Sequence, residues 1–190
     1  MLIFPNLKKI FVHIPRTSGN RLCDSILAVY PNAVRLRGSE THMPIWKVRE
    51  VFPGYETFSI CRDYVEIFIS HFNFCKWIVE QGYKIPNVLR DYALTCGISD
   101  INQHIQFCIN SGLLCKFGGF THTYLDENTK IFAYRSKPYN EISKYLGIDF
   151  TMLDTEYEYI DTDSINNIDI HTHQMLKHFC WMDLWTLGFK

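Results

Sequence analysis

The sequence predicts an α/β fold of three layers: a central, mostly parallel sheet of about four to five strands, flanked by helices. Three observations carry that expectation. An apolar run, a short polar loop with a glycine and a stretch of helical periodicity follow one another directly between Lys9 and Val29. Further short apolar runs alternate with helix-period stretches along the rest of the chain. The 190 residues, 47% hydrophobic and 21% charged, suffice for one well-buried domain, so 1–190 reads as a single domain.

The first strand is Lys9 to Ile14, apolar enough to be buried on both faces. After the loop Pro15 to Gly19, Leu22, Ile26 and Val29 share one face of a helix over 21–29. Ala33 to Leu36 is a second strand, Gly38 to His42 a loop, and Pro44 opens a helix ending at Val51. Thr57 to Cys61 is a third strand, ending at Arg62-Asp63. A long helix then runs from Val65 to Glu80 and stops near Gly82. Pro86 opens another helix to Thr95, and Ser99-Asp100-Ile101 reads as the capped start of one more. Lys130 to Tyr134 is a fourth strand. Pro138 to Leu146 is a helix closed by Gly147, and His173 to Trp185 is an amphipathic helix.

Charge and cysteine usage narrow the function classes. A net charge of −1 gives no general electrostatic grip on nucleic acid or a long polyanion. Seven cysteines, an odd number without a CxxC pair, favour free thiols in a reducing compartment. The run before Pro5 lacks a signal peptide's apolar core, and no stretch approaches the about 18–20 apolar residues of a membrane span. These features predict a cytoplasmic protein with neither nucleic acid nor membrane as partner.

In a parallel sheet the ligand crevice lies beyond the C-terminal strand ends, so the loops after Ile14, Leu36 and Cys61 are expected to share a site. The first joins a strand to a helix N-terminus, where unpaired N–H groups and the helix dipole favour a phosphate. Gly19 allows close approach, Thr17 and Ser18 offer hydroxyls, and Arg16 offers a forked charge. An ordinary βα turn with a solvated Arg16 fits the same residues. A Walker loop, GxxxxGK[ST], is absent.

His13-Ile14-Pro15-Arg16-Thr17-Ser18-Gly19-Asn20 resembles the 5′-phosphosulfate loop of sulfotransferases that use 3′-phosphoadenosine 5′-phosphosulfate (PAPS), in particular the carbohydrate type, often written HIPKTGGTS. Cys61 to Phe72 is similar to that family's 3′-phosphate motif, with Arg62 and Ser70 eight residues apart. The resemblance implies a P-loop nucleotide-hydrolase-like sulfotransferase fold and an enzyme that moves a sulfuryl group from PAPS to a hydroxyl or amine. The acceptor is a small molecule, carbohydrate or peptide, the product is PAP, and no metal is required.

The resemblance assigns donor binding to Arg16, Thr17, Ser18, Gly19, Asn20, Arg21, Arg62 and Ser70, and weakly to Arg135 after the fourth strand. It assigns catalysis to His42 as base and Arg16 as charge stabiliser, with Glu40 the alternative base. The plainer alternatives are a surface ion pair of Arg62 with Asp63 or Glu66, a helix-face hydroxyl at Ser70, and His42 packing on Trp46. Arg21, Arg35 and Arg37 are candidates for a basic mouth.

Several positions depart from the family pattern. Arg16 stands for the commoner lysine and is a poor proton donor; Asn20-Arg21 replaces Thr-Ser, and Tyr64 a proline. Two rivals remain open: a nucleotide-dependent phosphotransferase of similar fold, and a non-catalytic nucleotide-binding module. A zinc reading of His171, His173, His178 and His122 ranks below solvated or packed histidines.

Overall fold

Parallel strands require long crossovers, and the chain supplies them with helices. The computed structural model describes residues 1–81, 100–111, 123–153 and 166–180. It divides into two compact units, Met1–Arg62 with Gly118–Glu156, and Asp63–Phe117 with Tyr157–Lys190.

The first unit holds a five-stranded sheet: β1 (Leu2–Phe4), β2 (Lys9–Phe11), β3 (Val34–Arg35), β4 (Glu56–Cys61) and β5 (Thr129–Ala133), in the order β3-β1-β2-β4-β5. β2 pairs with β4 and β4 with β5 in parallel, whereas β1 runs antiparallel to both β2 and β3. The sheet is therefore mixed, a correction to the mostly parallel expectation. The difference originates in Leu2–Phe4, too short a run to announce a strand. The turn Pro5–Leu7, with Lys8 in the left-handed region at φ 49°, folds it back onto β2. A three-residue strand gains its hydrogen bonds only from such neighbours.

Alternation sorts the strand residues onto two faces. Leu2, Phe4, Phe11, Phe58, Ile60 and Phe132 pack with Leu22, Cys23 and Ile26 of α1 (Gly19–Val29) and with Ile142 and Leu146 of α5 (Tyr139–Leu146). Each fully buried aliphatic or aromatic side chain there contributes about 1.5–3 kcal/mol relative to exposure. Gly147 closes α5 at φ 67°, as expected of a glycine C-cap.

The other face carries a polar clamp. Arg49, on α2 (Ile45–Val51), donates from Nε and Nη2 to both oxygens of Asp126 at 2.8 and 2.9 Å. Nη2 also donates to Thr57 Oγ1 at 2.9 Å, and Thr57 meets Thr129 Oγ1 at 3.0 Å. Thr129 Oγ1 in turn donates to Asp126 Oδ1 at 2.7 Å. The network closes on itself, so the buried threonine hydroxyls are satisfied.

Among its described residues the second unit is helical: α3 (Tyr64–Glu80), α4 (Ile101–Asn110) and α6 (Ile170–Phe179). Each begins on an aspartate whose carboxylate accepts an N–H of the first turn: Asp63 from Val65, Asp100 from Asn102, Asp169 from Thr172. Phe68, Ile69, Phe72, Ile101, Ile105 and Leu176 form this unit's core. The expected helix from Pro86 to Thr95 and the end of the last helix, 181–185, lie outside the described residues. The last helix itself starts at Ile170, three residues earlier than its periodicity suggests, because Asp169 caps it.

Candidate functional site

β2 and β4 are parallel neighbours, so the loops that follow them leave the same edge of the sheet. β2 ends at Phe11, though Val12 N–H still donates to Phe58 O at 2.8 Å. His13 and Ile14 then lead into the loop. Arg16 (φ 65°) and Ser18 (φ 60°) are left-handed on either side of Thr17, whose φ is not positive. Such alternation turns successive N–H groups toward one side, a concavity suited to an anion. Ser18 is the N-cap of α1, and the first bond of the helix runs from Leu22 N–H to Ser18 O at 3.1 Å. The N–H groups of Gly19, Asn20 and Arg21 precede it and have no acceptor within the helix.

The loop's side chains divide their labour differently from the sequence expectation. Thr17 is fully buried and its Oγ1 donates to Ile14 O at 2.8 Å, so it braces the turn. Gly19 is required by a side chain: a Cβ there would stand 2.0 Å from His13 Cδ2. Asn20 Oδ1 accepts from Arg35 Nη2 at 2.9 Å, and Arg35 also pairs with Asp24. Arg21 Nε donates to Leu153 O. Two of the candidate basic-mouth residues are thus engaged within the unit, and Arg37 is exposed. Arg16 is half-buried.

His42 packs against His13, not against Trp46, which is exposed. The two rings lie 4.5 Å apart, and His42 Nδ1 is 2.8 Å from His13 O. A carbonyl only accepts, so Nδ1 carries the hydrogen and Nε2 keeps its lone pair. Burial lowers the His42 pKa, partly offset by the hydrogen bond to His13 O. His13 is held well below the ordinary imidazole value by burial first, then by His42 and the nearby cationic groups. Both rings are therefore neutral near pH 7. His13 Nδ1 has no hydrogen-bond partner among the described residues. Glu40 is exposed on a 3-10 turn.

Arg62 follows β4 directly. It is 4% exposed, so the surface ion pair considered for it does not apply. Its guanidinium lies 3.7 Å from the ring centroid of Tyr134, and its Nε has no hydrogen-bond partner among the described residues. Tyr134 begins the turn after β5, and Ser18 Oγ donates to Tyr134 Oη at 3.5 Å. Through Tyr134, the loops after β2, β4 and β5 meet. Tyr134 carries no motif of its own, and Arg135, the residue the resemblance assigns, is exposed on the same turn. Ser70 is buried on α3 in the second unit, where Asp63 is engaged as a helix cap.

The chain matches no family model, no curated protein and no solved structure.

The structure does not gather the histidines considered for zinc. His171, His173 and His178 are exposed on α6, and His122 lies outside the described residues. The groups that do converge are His71, Cys75 and His104 of the second unit. Their signal was present in the sequence as a histidine four residues before a cysteine, twice, but CxxC spacing does not detect it. Cys23, Cys61, Cys75, Cys108 and Cys180 are buried, and among the described residues no helix is long and apolar enough to cross a membrane.

Proposed function

We propose that the chain is a PAPS-dependent sulfotransferase whose first unit binds the nucleotide donor. The observation that carries this reading is Arg62: a buried guanidinium at the C-terminal end of a parallel strand, stacked on Tyr134, with an Nε that finds no acceptor. Leaving a buried charged donor unsatisfied costs well over 1 kcal/mol, and an anionic ligand removes that cost. The two recurring motifs, His13 to Asn20 and Arg62 to Ser70, favour a ligand phosphorylated at both ends over an ordinary nucleotide.

In this reading the N–H groups of Thr17 to Asn20 and the Arg16 guanidinium hold the 5′ end and stabilise negative charge growing on the leaving phosphate oxygen. Arg62 holds the 3′-phosphate. Arg21 and Arg135 are secondary nucleotide contacts. The donor, when bound, supplies an activated sulfuryl group. His42 Nε2 takes the acceptor's proton, because His13 O pins Nδ1–H and leaves Nε2 as the basic nitrogen. The chain's own cations supply the electrostatic stabilisation. A phosphotransferase would need a carboxylate to hold Mg²⁺, and Asp63, the carboxylate that directly follows Arg62, is engaged in capping α3.

Calorimetry with PAP, 5′-AMP and ATP tests the reading. PAP is expected to bind more tightly than both, with that preference reduced about 10-fold or more in Arg62→Ala. Equal affinity for the three nucleotides, or binding of none, removes the proposal.

A further inference from the structure

α3 and α4 each carry a histidine followed four residues later by a cysteine: His71 and Cys75, His104 and Cys108. Four residues are slightly more than one helical turn, so each pair projects from one side of its helix. The structure brings the two sides together. His71 Nδ1 and His104 Nε2 are 3.0 Å apart. Cys108 Sγ lies 3.5 Å from His104 Nε2 and 3.9 Å from His71 Nδ1, and Cys75 Sγ is 3.9 Å from His71 Nδ1. The ligand atoms of His71, Cys75 and His104 all fall within 4.8 Å of one another. All four residues are buried, in a shell of Phe68, Ile69, Phe72, Ile101, Ile105 and Leu176.

We propose that His71, Cys75, His104 and Cys108 form a tetrahedral Zn²⁺ site that ties α3 to α4. Zinc–nitrogen bonds of about 2.0–2.1 Å and zinc–sulfur bonds of about 2.3 Å give tetrahedron edges of about 3.3 Å (N···N) and about 3.6 Å (N···S). The 3.0, 3.5 and 3.9 Å separations lie within about 0.4 Å of those edges. Cys108 stands outside the three residues whose ligand atoms are all mutually within 4.8 Å, so completing the tetrahedron requires its thiol to turn inward.

The donor set selects the metal. Two imidazoles and two thiolates suit Zn²⁺, whereas Mg²⁺ and Ca²⁺ take oxygen ligands. Binding sends two thiol protons to solvent, and two thiolates then balance the ion's two positive charges. The centre is neutral overall, so it is compatible with the apolar shell in a way that a lone buried ion is not. Four protein ligands leave no open position, which makes the site structural. It involves the second unit alone and stands or falls independently of the sulfotransferase reading.

Metal analysis of the full chain purified without chelators is the first test, with about one zinc per chain expected. Replacement by Co²⁺ is the second. Tetrahedral cobalt bound by thiolates shows intense visible ligand-field bands and a sulfur-to-cobalt charge-transfer band in the unaltered protein, with no reliance on a variant that folds. Cys75→Ser and Cys108→Ser are each expected to halve the charge-transfer band, and His171→Ala with His173→Ala to leave it intact. The proposal is overturned if zinc stays below about 0.1 per chain after Zn²⁺ incubation and desalting. Cobalt binding without a thiolate band, or loss of the metal in the His171/His173 double variant, overturns it equally.

Discussion

Arg62 and Tyr134 stack with the guanidinium 3.7 Å from the ring centroid, and the Tyr134 hydroxyl accepts from Ser18. One tyrosine therefore positions the buried cation after β4 and also touches the loop after β2. Tyr134→Leu removes both interactions, and a desolvated cation–π contact is worth about 2 kcal/mol. PAP affinity is expected to fall by about 10-fold or more in this variant and by much less in Tyr134→Phe, which keeps the ring. Titration calorimetry separates the two; identical losses would mean that the hydroxyl, not the stack, matters.

Gly19 is packed against the His13 imidazole. Gly19→Ala places a methyl group where Cδ2 now sits, at 2.0 Å. Overpacking of this kind costs about 1–3 kcal/mol, read as a lower urea midpoint. A variant as stable as the parent would show that the imidazole moves aside without cost.

His13 makes the fold acid-sensitive. Its folded-state pKa lies well below the ordinary value because burial disfavours the imidazolium. Below about pH 6.5 the unfolded chain takes up a proton at this site while the native chain does not. Stability is thus fully present above that pH and falls as pH drops toward the folded-state pKa, by up to about 1.4 kcal/mol per pH unit. Urea unfolding between pH 7 and pH 5 measures the slope. His13→Asn is expected to lower it, and an unchanged slope would exclude this residue as the source.

The acid limb of any sulfuryl transfer has a different origin. The lowered pKa of His42 keeps its imidazole neutral at pH 7, so turnover is expected to hold through the ordinary imidazole value of about 6.5 and to decline only as the pH falls toward the lowered pKa. His42→Ala should abolish that limb together with most of kcat. Turnover unchanged in His42→Ala would remove His42 as the base.

Arg49 and Asp126 clamp α2 to the sheet. Asp126→Ala leaves the guanidinium without its two charge-assisted hydrogen bonds and is expected to cost about 1–3 kcal/mol. The hydrogen bond from Arg49 holds the Asp126 carboxyl below the usual value of about 3.9, so its stabilisation is present above that pH and lost on further acidification. An unfolding midpoint shifted by less than that of an exposed Glu127→Ala control would show the clamp to be dispensable.

Much of the fold was legible in the chain itself. The strands expected over Lys9 to Ile14, Thr57 to Cys61 and Lys130 to Tyr134 form over Lys9–Phe11, Glu56–Cys61 and Thr129–Ala133, and Gly147 announced the end of α5, because these signals depend on neighbours a few residues away. β1 was not legible: Leu2–Phe4 becomes a strand only by pairing with β2 and β3, and that pairing reverses the direction of part of the sheet.

The site divides the same way. Sequence alone determined that a strand, a polar loop and a helix N-terminus follow one another at His13 to Asn20, a local arrangement fit for an anion. Tertiary structure decided that Thr17 spends its hydroxyl on Ile14, that Gly19 yields its space to His13, and that Arg62 is buried against Tyr134. It also brought His71 and Cys75 against His104 and Cys108 from a separate helix. Burial and hydrogen-bond partnership belong to pairs of distant residues, and no periodicity along one chain encodes which pairs will meet.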